Sequence, residues 1–213
     1  MASRWIGILL FAIVATCTGA AGWLAWLWQD RGTIADLDWP EAAPTGQQQV
    51  RVTGEQVTVT WLGISSLLFD DGETQILVDG TFSRVPLLDI LTQRRLFSDV
   101  ATVNYALAEY RLDRLAAIIP VHSHFDHAMD VGHVANRTSA VVLGSESTAN
   151  IARGANVPVN QYQILANRES RQFGSFTITL IETGHAPVGP GSKAVLLGDI
   201  EEPLRQPARI TSW

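Results

Sequence analysis

Hydrophobic and polar positions divide the chain into three parts. Trp5 to Trp28 is apolar throughout and carries no charge. A helix of that length, at about 1.5 Å per residue, spans roughly 36 Å, slightly more than a bilayer core. From Gln29 to Gln49 the chain is polar, with two prolines and no hydrophobic period, and reads as a linker. Beyond it the periodicity is regular. Val50 and Val52, then Val57, Val59 and Trp61, alternate with polar residues and predict strands. Ser65–Phe69, the turn Asp70-Asp71-Gly72 and Gln75–Val78 predict a hairpin.

Further along, Leu87 to Arg114 is mixed, with Ala106–Leu115 its better helical stretch, and Ala116–Val121 is an uncharged run suited to a buried strand. A helix is expected near Ala128–Ala135, a strand over Ala140–Leu143 and a helix over Ser145–Arg153, with Gly154 placed to end it. Phe176–Ile181 alternates once more. Strands interleaved with helices predict an α/β layered fold. The expected organisation is an apolar anchor or signal segment over 1–28, a linker over 29–49 and an α/β domain over 50–213.

Composition narrows the function. The net charge is −6 and the 15 Lys and Arg are scattered, so no basic face for nucleic acid is expected. The single cysteine, Cys17, lies inside the apolar run and excludes a disulfide framework or a CxxC metal site. Any transition metal must be held by histidine and carboxylate.

The apolar run carries Trp5 near one end and Trp23, Trp26 and Trp28 near the other, as an interfacial belt would. Arg4 precedes it, which orients Met1 towards the cytoplasm and the domain outside. Three readings stand: an uncleaved membrane anchor, a signal peptide cut near Thr18-Gly19-Ala20-Ala21, or a lipoprotein site around Cys17. Each exports the domain; the anchor avoids leaving WLAWLW exposed at a mature N-terminus.

The candidate chemistry is concentrated in His122-Ser123-His124-Phe125-Asp126-His127, directly after the apolar run that ends at Val121. Residues two apart on an extended chain project the same way, so His122 and His124 can grip one cation. Asp126 and His127, as the chain turns into a helix, can face a second position. Imidazoles with a carboxylate suit Zn, Fe or Mn. A polar loop explains one histidine, but poorly explains three beside an aspartate.

This run resembles the HxHxDH signature of the metallo-β-lactamase superfamily, and Trp61–Phe69 with Gln75–Ser83 resembles that fold's opening hairpins. The chain is most similar to the branch holding lactonase-like and N-acyl-phosphatidylethanolamine phospholipase-D-like hydrolases. The resemblance implies an αβ/βα sandwich. It further implies one or two ions, zinc foremost, with His122, His124 and a later His on one position and Asp126 and His127 on the other. His185, in Thr183-Gly-His-Ala-Pro187, matches the later ligand, a lone loop histidine being the plain alternative. Asp79 resembles the carboxylate that orients a ligand imidazole, or else simply forms the turn before Gly80. Asp199 resembles the bridging aspartate, although only residues 186–198 separate it from His185. His133 reads as structural.

The activity implied is hydrolysis of an ester, lactone, amide or phosphodiester in a small-molecule or lipid-like substrate, with Asp126 positioning the attacking water. The competing reading is a membrane-tethered metal binder without turnover. The superfamily fold needs two αβ halves, and the chain ends at Trp213 soon after the third motif, without a later histidine. An incomplete sandwich with an uncovered apolar sheet face is therefore expected. Ile64 stands where related branches often have His.

Overall fold

The structure is a computed structural model that describes residues 2–29, 47–52, 55–185 and 198–213. Contacts divide the chain into two units, Met1–Ala42 and Ala43–Trp213, and each is described by itself. Most of the segment read as a linker, and the Ala186-Pro187 part of the third motif, lie outside the described residues.

In the first unit a single helix, α1 (Ala2–Gln29), contains a 19-residue window apolar enough to cross a membrane, Trp5–Trp23, with none of it buried. Its two threonines turn their hydroxyls back on the helix: Thr16 Oγ1 donates to Ala12 O and Thr18 Oγ1 to Val14 O, both at 2.8 Å. That arrangement gives both threonine hydroxyls a partner within the helix, as an apolar medium requires.

The second unit is built on a seven-stranded sheet. Strands β1 (Gln47–Val52), β2 (Glu55–Gly63), β3 (Ser66–Asp70) and β4 (Gln75–Val78) form an antiparallel meander. β1 thus begins inside the segment read as a linker. Strands β6 (Leu115–Ile119), β7 (Val141–Gly144) and β8 (Tyr162–Ile164) continue the sheet in parallel, in the order β1-β2-β3-β4-β6-β7-β8. The short β5 (Arg95–Leu96) pairs with β11 (Ala208–Arg209), which brings the C-terminal residues back against the domain.

Period-two alternation assigns each central strand to two cores. Leu68, Leu77, Ile118 and Val142 face the helices and are buried with Val103, Met129, Val134 and Ile151. Ile76, Ala117, Ile119 and Leu143 face the other way, buried with Leu165. That second face is not bare, contrary to the expectation of an uncovered sheet. A hairpin of β9 (Ser170–Phe173) and β10 (Phe176–Thr179) packs Phe173, Phe176 and Ile178 on the second core as half-buried side chains. Beyond it Ile181 is exposed.

The helical layer also differs from expectation in detail. The better helix of the mixed stretch is α3 (Val100–Glu109), not Ala106–Leu115. Asp99 decides this: its carboxylate accepts the Ala101 and Thr102 N–H groups and starts the helix early, so that Leu115 is released to begin β6. A short α2 (Leu87–Leu91) precedes it. The helix expected over Ala128–Ala135 is two pieces, α4 (Phe125–Ala128) and α5 (Val131–Thr138).

Ser145 caps α6 (Glu146–Gly154), accepting from the Thr148 N–H. Gly154 is the last residue of α6, and space rather than handedness is its reason. A Cβ there would land on the Leu204 carbonyl, because residues 198–204 run across this helix. Ser147 Oγ accepts the Ile200 N–H at 3.0 Å, Asn150 Nδ2 donates to Ile200 O, and the Leu204 N–H donates to Asn150 O. Ser147, Asn150 and Gly154 therefore form one docking stripe along α6.

Candidate metal centre

The cluster stands at the carboxyl end of β6, where open α/β sheets place their ligands. After Ile119 the chain leaves the sheet, and His122 and His124 come before α4 begins. His124 is the N-cap of α4 with extended backbone, so Asp126 and His127 fall in the first helical turn and project beside it.

Two groups of donor atoms converge. One ring nitrogen from each of His122, His124 and His185 lies within 4.8 Å of the others, and the same holds for donors of His122, Asp126 and His127. His185 is distant in sequence, yet its ring centroid is 5.1 Å from that of His122 and 5.0 Å from that of His124. The His122 and His127 rings are closer still, with centroids 4.0 Å apart. Asp126 is more open than His127, and its Oδ2 is 3.6 Å from His127 Nε2.

Asp79 follows directly on β4. It forms a turn, with φ +60 before Gly80 at φ +80, and its carboxylate is fully buried. Oδ1 accepts the Val121 N–H at 2.8 Å and Oδ2 lies 2.9 Å from His127 Nδ1. The Asp79 N–H donates to Ile119 O at 3.0 Å, so one residue ties the end of β4 to both ends of the segment leading into the histidines. The two serines ahead of it, Ser65 and Ser66, have no sequence signal beyond membership of a strand. Ser66 Oγ accepts the Gly80 and Thr81 N–H groups and holds the turn. Ser65 Oγ is 3.0 Å from His127 Nδ1. Asp130, also unsignalled, is fully buried and accepts the Phe82 and Ser83 N–H groups and the Ser83 hydroxyl, which fixes the segment that leaves Asp79.

The electrostatics separate the histidines. Burial, then the neighbouring His127 and His124 charges, push His122 from 6.5 down to about 4 despite Asp126. At neutral pH its ring keeps a lone pair to donate. Burial would also depress His127, but the hydrogen bond and charge of Asp79, with the charge of Asp126, outweigh it and hold this imidazole above its ordinary value. His133 is away from the cluster; its Nε2 is 3.3 Å from Asn104 Oδ1, between α5 and α3, as a structural reading requires.

Asp199 is the residue that resembles the bridging aspartate. It lines the same cleft as the histidines, yet among the described residues it belongs to neither converging group. The stripe on α6 is the reason, since it fixes Ile200 and so sets where the preceding carboxylate can reach. The cleft itself has a volume of about 640 Å³, and besides the histidines it is lined by Val121, Leu165 and Leu180 and by Ser123, Thr148 and Asn167.

Among solved structures, the chain is similar to metallo-beta-lactamase SMB-1, with 19% identity, 66% of this chain and 54% of that one covered and a TM-score of 0.42. It is also similar to MEM-A1, a subclass B3 metallo-beta-lactamase from a soil metagenome library, with 18% identity, 58% and 47% covered and a TM-score of 0.39. A "UPF0173 metal-dependent hydrolase" of Xanthobacter autotrophicus (strain ATCC BAA-1158 / Py2) is 28% identical over an alignment of 163 residues that covers 73% of this chain. The chain spans 59% of the length of that relative. Residues 59–200 match the model of the metallo-beta-lactamase superfamily, and they contain both the histidine run and His185: the chain belongs to that superfamily.

Proposed function

We propose that this protein is a metal-dependent hydrolase that uses zinc, in one or two positions, on an ester, lactone, amide or phosphodiester bond of a small molecule. The observation that carries the reading is the convergence of His122, His124 and His185 from two distant segments onto one point. The donor set fits a divalent ion. Three imidazoles and a neighbouring carboxylate suit Zn, Fe or Mn, and the neutrality of His122 leaves its lone pair available. The name of the Xanthobacter relative, a metal-dependent hydrolase, supports the same class. Such an ion, when bound, supplies Lewis acidity and an acidified water at neutral pH.

The chain's own residues do the rest. Asp79 and the α4 turn hold His127, so the cluster is ordered before any substrate arrives. Asp126 is the half-buried carboxylate of the cluster and is placed to accept a proton from an attacking water. Apolar Val121, Leu165 and Leu180 beside polar Ser123, Thr148 and Asn167 suit a substrate with a hydrocarbon part and a polar reacting group, which includes lipid-like molecules. The test is a panel of esters, lactones and phosphodiesters with the full chain, its chelated form and His124→Ala. Turnover that needs both metal and His124 is expected; turnover that survives both losses, or one bound ion with no turnover on any substrate, overturns the proposal.

We also propose that α1 anchors the protein in a membrane with the second unit outside the cytoplasm. Its support is the uncharged Trp5–Trp23 window together with Arg4 before it. Release of the full chain from membranes by alkaline carbonate would refute the anchor.

A further inference from the structure

The connection between β2 and β3 is strained in a way its sequence does not invite. The pairing register slips between Trp61 and Gly63, and two successive residues then take positive φ, Gly63 at +99 and Ile64 at +50. Glycine does so freely, but a β-branched residue in the left-handed region is an outlier costing about 1–2 kcal/mol. The side chain of Ile64 does not repay that cost, being 47% exposed. The backbone is nevertheless held from two sides. Trp61 Nε1 donates to Ile64 O at 3.0 Å, and the Arg84 guanidinium lies where a Cβ on Gly63 would meet its Nη2 at 2.7 Å. Strain kept in place by surrounding contacts points to a purpose in the residues it aims.

The residue next to Ile64 is Ser65, whose Oγ reaches His127 Nδ1 at 3.0 Å. The same nitrogen lies 2.9 Å from Asp79 Oδ2. An ionised carboxylate only accepts, so Nδ1 carries the proton and Ser65 Oγ is its second acceptor. Nε2 is then left with its lone pair, on the side of Asp126. One acceptor fixes the tautomer but lets the ring swing about the contact. A second acceptor, brought from a different strand connection, fixes the ring plane as well.

We propose that Ser65 is a positioning residue for His127, that with Asp79 it locks the imidazole with Nε2 turned to the cation position, and that the strained Gly63–Ile64 turn serves to aim it. The proposal rests on reading the cluster as a metal centre, and its test separates the two. In the full chain without metal, long-range proton–nitrogen NMR should show His127 as a single Nδ1–H tautomer. Ser65→Ala should mix the tautomers or broaden the ring signals, and should weaken zinc(II) binding about ten-fold against a chelating dye, in the range typical of lost partners behind a ligand. Ser65→Thr, which keeps the hydroxyl, should restore both. Unchanged His127 signals and unchanged zinc affinity in Ser65→Ala would overturn the proposal, as would failure of Ser65→Thr to restore either. Wild-type protein that takes up no zinc would instead refute the metal centre, while the tautomer comparison still decides the role of Ser65.

Discussion

Asp79 Oδ2 lies 2.9 Å from His127 Nδ1 while Oδ1 of the same carboxylate accepts the Val121 N–H at 2.8 Å. One fully buried side chain therefore orients an imidazole and fixes the exit from β6 that carries His122 and His124. Asp79→Ala removes both acceptors at once, and the Val121 N–H and His127 Nδ1 lose this partner together. The expected result is a loss of about 3 kcal/mol in stability from denaturant unfolding, together with weaker metal binding, about ten- to hundred-fold by titration. Asp79→Asn preserves the shape and one acceptor, and should recover most of the stability but less of the affinity.

The shift of His122 to about 4 gives a pH dependence with a definite sign. Between about 6.5 and 4 the unfolded imidazole binds a proton that the folded one resists, so the unfolded state holds more protons there. This residue's contribution to stability is complete above 6.5, falls as the pH drops through that window and levels off near 4. His127, held above its ordinary value, acts in the opposite sense: its contribution is complete below 6.5 and is lost as the pH rises above it. Comparing chelated wild type with chelated His122→Asn isolates the first effect. The wild type should lose more of its denaturant midpoint than the variant does between pH 7 and pH 5; parallel losses would refute it.

The legibility of these features in sequence depends on how local each one is. The His122–His127 run is contiguous, and its spacing alone predicts converging donor groups. The β4 and β6 assignments rest on short apolar runs whose alternation, Ile76 against Leu77 and Ala117 against Ile118, matches two separate cores. Asp99 is inconspicuous because a cap needs only one aspartate, and a mixed stretch offers several. Ser65, Ser66 and Asp130 act across 62, 14 and 48 residues of chain respectively, through single polar atoms, and no periodicity reports such contacts. Asp199 shows the converse: a local match to a motif does not say where the α6 stripe will hold the backbone next to it.

That stripe makes Gly154 intolerant of any side chain. The atom a Cβ would meet is backbone, the Leu204 carbonyl, which cannot rotate aside. Gly154→Ala should force residues 198–204 away from α6, losing the hydrogen bonds to Ser147 and Asn150 and costing about 1–3 kcal/mol. Gly72, at φ +95 with nothing within 4 Å, is the control. Its alanine variant meets only backbone strain, about 1 kcal/mol, so denaturant midpoints should fall further for Gly154→Ala than for Gly72→Ala.

The Gly63–Ile64 turn separates strain from function. Asparagine tolerates the left-handed region, so Ile64→Asn should keep φ near +50 while removing the β-branched penalty. A gain of about 1 kcal/mol is expected, less whatever the half-exposed isoleucine contributes by burial, with Ser65 still facing His127 and zinc affinity unchanged. Ile64→Val retains the branch and should gain nothing. Ile64→Pro cannot reach positive φ at all, since the ring fixes φ near −65°, and must swing Ser65 out of reach. Zinc titration and denaturant unfolding of the three variants should therefore diverge: higher stability with full affinity for Asn, no change for Val, and loss of both for Pro. If Ile64→Pro bound zinc as the wild type does, the turn would have no part in holding His127.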